Sequence, residues 1–280
     1  MKSRRFHQLD VFSAQPLKGN PLAVVHGAEG LSDDAMAAFA RWTHLSETTF
    51  LLPPTDPAAD YRVRIFTPDG ELPFAGHPTL GSCHAWLAAG GVPRDVGMVV
   101  QECAVGLVRV RRSGGRLAFA APPLRRSGPL DADLLQRIAA GLGLAPAEIL
   151  LHQWVDNGPG WCAVMLPTAA RVLAVKPDWP RLGDIKLGLV GAHEAGGEAH
   201  YEVRALIGGG DFGNYEDPVT GSLNASLAMW LMGAGIAPAS YVAAQGAVLQ
   251  RAGRVFLLHD GDTVWVGGDV AEVISGEVML

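Results

Sequence analysis

A glutamate, a histidine and an aspartate stand in this chain where proton-transfer chemistry would need them. His77 lies in Pro73-Phe74-Ala75-Gly76-His77-Pro78-Thr79-Leu80-Gly81-Ser82, and Asp217 lies about 140 residues further on, in Glu216-Asp217-Pro218-Val219-Thr220-Gly221-Ser222. Each stretch reads as a turn carrying one ionisable residue directly before an apolar helix. Gly, Pro and Thr in such a turn leave the first N–H groups of the helix without partners, and the helix dipole favours an anion there. Two such ends facing each other would grip a small carboxylic acid, with amides around Gly76, Gly221 and Ser222 and with His77 and Asp217 beside it. Glu47 is the third candidate, in Leu45-Ser46-Glu47-Thr48-Thr49-Phe50. Flanked by Leu45 and Phe50 and enclosed by a second domain, its carboxylate would lose solvent, and its pKa would rise toward the range of a general base.

Each residue also has an ordinary reading. Asp followed by Pro is a common helix start, a loop histidine is usually a surface hydrogen-bonding group, and a glutamate at a strand edge is usually solvated. Other chemistries fail on spacing. Gly208-Gly209-Gly210-Asp211-Phe212-Gly213 satisfies G-x-G-x-x-G, but no helix opens at those glycines and no acid lies between Asp217 and Asp260, so a dinucleotide site is rejected. There is no nucleophile elbow, Walker loop or H-E-x-x-H helix, and His77 and His84 have no third ligand nearby, so no metal is expected.

The elements that must position these residues follow from periodicity. Strands are expected over residues 6–12, 22–25, 48–52, 61–67, 161–166 and 201–207, and a hairpin over 106–111 and 116–120 turned at Gly114-Gly115. Helices are expected from the Ser32 cap to near His44, and over 80–89, 131–140 and 223–232. Residues 122–129 read as a crossover, with the pairs Arg111-Arg112 and Arg125-Arg126 as solvated loop ends. An internal repeat is suggested by Arg64-Ile65-Phe66 and Arg204-Ala205-Leu206, each ahead of a helix, with Gly81-Ser82 matched to Gly221-Ser222.

With 280 residues, two α+β domains are expected, 1–120 and 121–280, with the last strand, about 270–280, free to return to the first. Composition narrows the partners. A net charge of -6 without a long basic run gives no reason to expect nucleic acid, and no segment has the length of a membrane span. Three scattered cysteines argue against a disulfide framework, and no signal peptide is recognised, so a cytoplasmic enzyme is expected.

Taken in order, Leu17-Lys18-Gly19-Asn20-Pro21, the segment from Leu45 to Phe50, Arg64-Ile65-Phe66-Thr67-Pro68, Phe74-Ala75-Gly76-His77-Pro78, Asn157-Gly158-Pro159 and the turn from Glu216 to Ser222 resemble the phenazine-biosynthesis (PhzF-like) isomerase family, a branch of the diaminopimelate-epimerase-like fold. The resemblance implies two similar α+β domains, each a sheet wrapped around a central helix, with the active site in the cleft between them. It implies proton transfer without cofactor, with Glu47 as principal acid/base and with His77, Asp217 and Ser222 binding substrate and moving protons, and it suggests a homodimer. Related epimerases carry paired cysteines where this chain has Ala75 and Asp217, which argues against a two-thiol racemase. The family commonly continues the second strand as Arg-x-Phe and a proline, whereas Arg204 here leads into Ala205-Leu206-Ile207-Gly208-Gly209-Gly210, so substrate identity does not transfer. The expected function is an isomerase moving a proton on a small carboxylic acid. Epimerisation or racemisation of an amino or hydroxy acid, and a non-catalytic acid-binding protein, are the alternatives.

Overall fold

The computed structural model describes residues 1–209 and 213–280. Gly210, Asp211 and Phe212, at the centre of the rejected glycine motif and of the loop after Arg204, lie outside the described residues. The chain divides into two compact units, Met1–Ala120 with Gly267–Leu280, and Ala121–Val266. No helix among the described residues is long and apolar enough to cross a membrane.

The first unit contains β1 (Ser3–Val11), β2 (Asn20–Val25), α1 (Asp33–Thr43), β3 (Glu47–Leu52), β4 (Tyr61–Phe66), β5 (Glu71–Leu72), α2 (Gly76–Ala88), β6 (Met98–Cys103), β7 (Gly106–Ser113) and β8 (Arg116–Ala120). The second contains β9 (Arg126–Gly128), α3 (Ala132–Leu142), β10 (Leu151–Asp156), β11 (Trp161–Leu166), α4 (Ala169–Ala174), α5 (Trp179–Leu182), β12 (Lys186–Ala192), β13 (Tyr201–Ile207), β14 (Tyr215–Asp217), α6 (Gly221–Gly233), β15 (Ser240–Gln245) and β16 (Gly253–Asp260). After β17 (Thr263–Gly268), β18 (Val270–Met279) returns to the first unit and pairs antiparallel with β1.

Local chemistry explains the helices. Ser32 caps α1 by accepting the Ala35 N–H at 3.2 Å, two aspartates occupy its first turn, and it ends at His44 in the left-handed region. One face of α1 buries Met36, Phe39 and Ala40 against Val25, Phe50 and Phe66. In each of α2 and α6 nine of the thirteen residues are buried, polar ones such as Thr79, Ser82, Asn224 and Ser226 among them, as expected of a helix wrapped by a sheet. In α2 the packing is close enough that a Cβ on Gly81 would lie 2.4 Å from Leu22 Cδ2. The second unit has its own core, built on Ile138, Leu142, Val164, Leu187, Leu189 and Leu206.

The two units repeat one topology. In the first, β1 and β2 are antiparallel, β2 and β3 parallel, β3 antiparallel to β4, β4 antiparallel to β5 and parallel to β6, and β6 antiparallel to β7. The strands β10 to β16 run through the same series. Arg64 forks onto Glu71 at 2.8 and 2.6 Å, and Arg204 forks onto Glu216 at 3.0 and 2.8 Å. In both units the glutamate pairs with the residue two after the arginine, Phe66↔Glu71 and Leu206↔Glu216.

That register corrects the expected match. The stretch between the paired residues is five longer in the second unit, so from the glutamate onward the offset is 145 rather than 140. Gly76 therefore corresponds to Gly221 and His77 to Ser222, while Asp217 corresponds to Leu72. His77 is not in a turn before the helix but is the second residue of α2, and Asp217 is not a helix cap but the last residue of β14. The crossover over 122–129 contains β9, and Arg111, Arg112 and Arg126 stand in strands, with Arg126 stacked 3.4 Å over the Trp154 ring.

Candidate active site

In the first unit the parallel register sets Leu22 of β2 beside Glu47, the first residue of β3. The first turn of α2 brings His77 to the same row, with Nε2 3.2 Å from Glu47 Oε2 and side-chain exposures of 6% and 15%. The histidine ring also hydrogen-bonds the backbone of Pro21, whose only polar group is its carbonyl. Burial pushes the His77 pKa down to about 3, against the opposing effect of that hydrogen bond, so the imidazole is neutral.

The start of α2 is kept open by the chemistry around it. Its cap residue, Ala75, offers no side-chain hydrogen bond, and Pro78 has no N–H to satisfy. Thr79 instead donates its hydroxyl to the Ala75 carbonyl at 2.9 Å and accepts Gln101 Nε2 at 3.1 Å, and Tyr61 donates to Gln101 Oε1 at 2.8 Å. The first turn is thereby fastened from β6 and β4 with its amides left for other use.

The second unit has the same device with different residues. Asp217, 8% exposed, accepts the Thr220 hydroxyl at 2.6 Å, and Gln245 Nε2 donates to Thr220 Oγ1 at 2.9 Å and to the Asp217 carbonyl at 3.0 Å. Gln245 Oε1 in turn accepts the Thr220 N–H at 3.1 Å and Asn224 Nδ2 at 2.8 Å. Thr220 is the cap residue of α6, yet with its hydroxyl committed to Asp217 it does not cap the helix. Trp161 Nε1 donates to Ser222 Oγ at 3.0 Å and Asn157 Nδ2 to the Ser222 carbonyl at 3.0 Å. Because an indole N–H only donates, Ser222 Oγ is the acceptor and its own proton is directed elsewhere.

Of the residues expected from sequence, Glu47 and His77 meet in the first unit, with Gly76 as the first residue of α2; Asp217, Gly221 and Ser222 share one turn of the second. Sequence reasoning passed over Gln101, Gln245, Thr79 and Trp161. The glutamines lie on equivalent strands, β6 and β15, but not at equivalent positions, since the offset of 145 sets Gln101 against Gly246, and no local pattern singles them out. Ala75 corresponds to Thr220, not to Asp217, and neither is a thiol. All three cysteines are buried and free, with burial pushing Cys83 and Cys162 up to about 12. Among the described residues no cluster of His, Cys, Asp and Glu has the arrangement of a metal site.

Comparison with known proteins gives this arrangement its context. A family model described as "Phenazine biosynthesis-like protein" matches residues 9–276. An uncharacterized isomerase of Mesorhizobium japonicum is 38% identical, with 83% of this chain and 82% of that protein covered. The trans-2,3-dihydro-3-hydroxyanthranilate isomerase of Pseudomonas aeruginosa is 34% identical over 81% of this chain and 79% of its own length. A crystal structure of a PhzF-family protein from Enterococcus faecalis superposes with a TM-score of 0.82 at 22% identity, covering 100% of both chains, and so shares the diaminopimelate-epimerase-like fold. The chain belongs to the phenazine biosynthesis-like, or PhzF-like, family of isomerases.

Proposed function

We propose that the protein is a cofactor-independent isomerase that moves a proton from one carbon to another on a small carboxylic acid, with Glu47 as the acid/base. The observation that carries this reading is the half-buried Glu47 carboxyl 3.2 Å from a neutral, buried His77 at the open end of a helix. Glu47 takes a proton from a carbon that is allylic or α to the substrate carboxylate. The C–H electron pair spreads into the conjugated system, and the protonated glutamate returns the proton to a second carbon. No bond to the protein forms and no electrons leave the substrate. Amides at Gly76, Gly221 and Ser222 favour the anionic substrate as charge develops, and Asp217 and Ser222 bind it and assist proton movement. Such a base supplies about 10²- to 10⁴-fold, so electrostatic preorganisation carries most of the remaining acceleration.

The named activity of the relatives makes trans-2,3-dihydro-3-hydroxyanthranilate the first substrate to test. A double-bond shift changes ultraviolet absorbance, whereas epimerisation changes only chirality, so the two are separated by one assay with chiral analysis. Glu47→Gln is expected to bind the acid but to lose turnover by roughly 10²-fold or more. Unchanged turnover in that variant would remove Glu47 from the chemistry. A homodimer belongs to the same proposal, and sedimentation at micromolar concentration tests it.

A further inference from the structure

Asp10 is a buried carboxylate of β1, 2% exposed, that the acid/base chemistry does not use. Its Oδ2 accepts two backbone N–H groups, from Lys18 at 2.5 Å and from Gly19 at 2.8 Å, and so closes the loop between β1 and β2. The loop is tight: Leu17 is held at φ 68°, and a Cβ on Gly19 would lie 2.2 Å from the Val11 carbonyl oxygen. Two residues on, Pro21 stands opposite Asp10 in the β1–β2 register, and its carbonyl takes the hydrogen bond from His77.

Which nitrogen makes that bond follows from the geometry. His77 Nε2 is buried without a hydrogen-bond partner and is the atom that faces Glu47, so the bond to Pro21 is made by Nδ1. A carbonyl can only accept, so Nδ1 carries the single proton of the neutral ring and Nε2 presents a lone pair. We propose that Asp10 is a positioning residue for the Glu47–His77 pair: by closing the loop before Pro21 it holds that carbonyl on Nδ1 of His77, fixing the ring as the Nδ1–H tautomer with Nε2 as an acceptor toward Glu47.

The consequence is a division of labour within the pair. An ionised carboxylate and an imidazole lone pair cannot hydrogen-bond each other, but a protonated Glu47 can donate to Nε2. The ring therefore supports the glutamate in the state it reaches after taking the substrate proton, and keeps that proton available for return to the second carbon. The opposite tautomer, with hydrogen on Nε2, would instead favour the carboxylate before proton abstraction. This role rests on the reading of Glu47 as acid/base, whereas the tautomer itself can be measured without substrate.

Nitrogen NMR of the imidazole rings in the full-length protein at neutral pH tests it, with the His77 signals identified by their loss in His77→Gln. The wild type is expected to show Nδ1 protonated and Nε2 unprotonated. Asp10→Ala is expected to give a mixture with hydrogen on Nε2, and to lower kcat on trans-2,3-dihydro-3-hydroxyanthranilate by roughly 10- to 100-fold with little change in KM. Asp10→Asn keeps an oxygen in place of Oδ2 and is expected to restore the wild-type ring pattern. Gly19→Ala, which forces the same loop away from Val11 with Asp10 intact, is expected to reproduce the mixture and stands in for Asp10→Ala where that variant does not fold. A wild-type ring protonated on Nε2, or a folded Asp10→Ala or Gly19→Ala protein with an unchanged ring pattern, overturns the proposal. Neither result touches the isomerase reading, which stands or falls on turnover by Glu47→Gln.

Discussion

A histidine shut away from water lowers the stability of a protein wherever the solution would otherwise protonate it. The ordinary value for His77 is 6.5, and burial lowers it to about 3 in the folded protein. Between those values the unfolded chain binds a proton that the native chain does not. The contribution of the neutral ring is thus complete above about pH 6.5 and is lost as pH falls toward about 3, with a limiting slope of about 1.4 kcal/mol per pH unit. His26, pushed down to about 4 by burial and then by His7 and Arg5, acts in the same sense. Urea unfolding at about pH 7 and about pH 4.5 should show His77→Gln losing less stability on acidification than the wild type, by on the order of 1–2 kcal/mol. Equal losses would mean that His77 takes up its proton in the native state. At this scale Glu47 and His77 could be singled out by residue type and neighbours, but the local backbone of His77 was read as a turn where it belongs to the first turn of α2. Pro21 was legible only as part of a motif. Its use as the acceptor for His77, 56 positions away, depends on the β1–β2–β3 register and the entry of α2, which no local pattern encodes.

The paired arginines act at the level of elements, and the repeat turns them into an internal comparison. In the second unit both partners are buried, with side-chain exposures of 2% for Arg204 and 7% for Glu216. The remaining donors of Arg204 reach the Val172 and Val175 carbonyls at 3.1 and 2.6 Å, which ties β13 and β14 to α4. In the first unit Arg64 is 23% exposed, with Glu71 at 36% and Asp33 at 80%. Removing one member of a buried pair strands the other's charge, whereas an exposed pair is screened. Glu216→Ala is therefore expected to cost about 3–5 kcal/mol and Glu71→Ala about 1 kcal/mol or less, read from urea midpoints. Equal costs would show that burial does not separate the two forks. The strand-then-helix order around these arginines could be read from alternation in residues 61–67 and 201–207 and from the apolar runs that follow. The helix starts could not. Gly-Ser occurs in both helices, and matching those pairs concealed the five-residue extension that aligns His77 with Ser222.

For the whole chain, α+β character and a division near residue 120 could be read from composition and turn signals, but several strands could not. The last strand, β18, was expected near residues 270–280, although Val273 and Ile274 are adjacent rather than alternating, most of its side chains are exposed, and it carries Gly276, so it has no amphipathic period. What holds it is backbone pairing, with nine residues of β1 matched to it from Ser3↔Met279 to Val11↔Val270 and a bulge at Gln8/Leu9. Its entry is fixed by Arg116, which forks onto Asp269 at 3.1 and 3.3 Å. Deleting residues 270–280 removes this pairing from one side of β1, the strand that carries Asp10. At roughly 0.5–1.5 kcal/mol per hydrogen bond the loss is on the order of 5 kcal/mol, comparable to the whole stability of a domain. Hydrogen exchange followed by mass spectrometry should show β1, β2 and α2 of the truncated protein losing protection, while β11, β12, β13 and α6 of the second unit, which is continuous in sequence, exchange as in the full chain. Undiminished protection of β1 would mean that β18 is dispensable to the first unit. Matched losses in α2 and α6 would mean that the two units unfold as one, so that the returning strand stabilises the entire molecule rather than the half it pairs with.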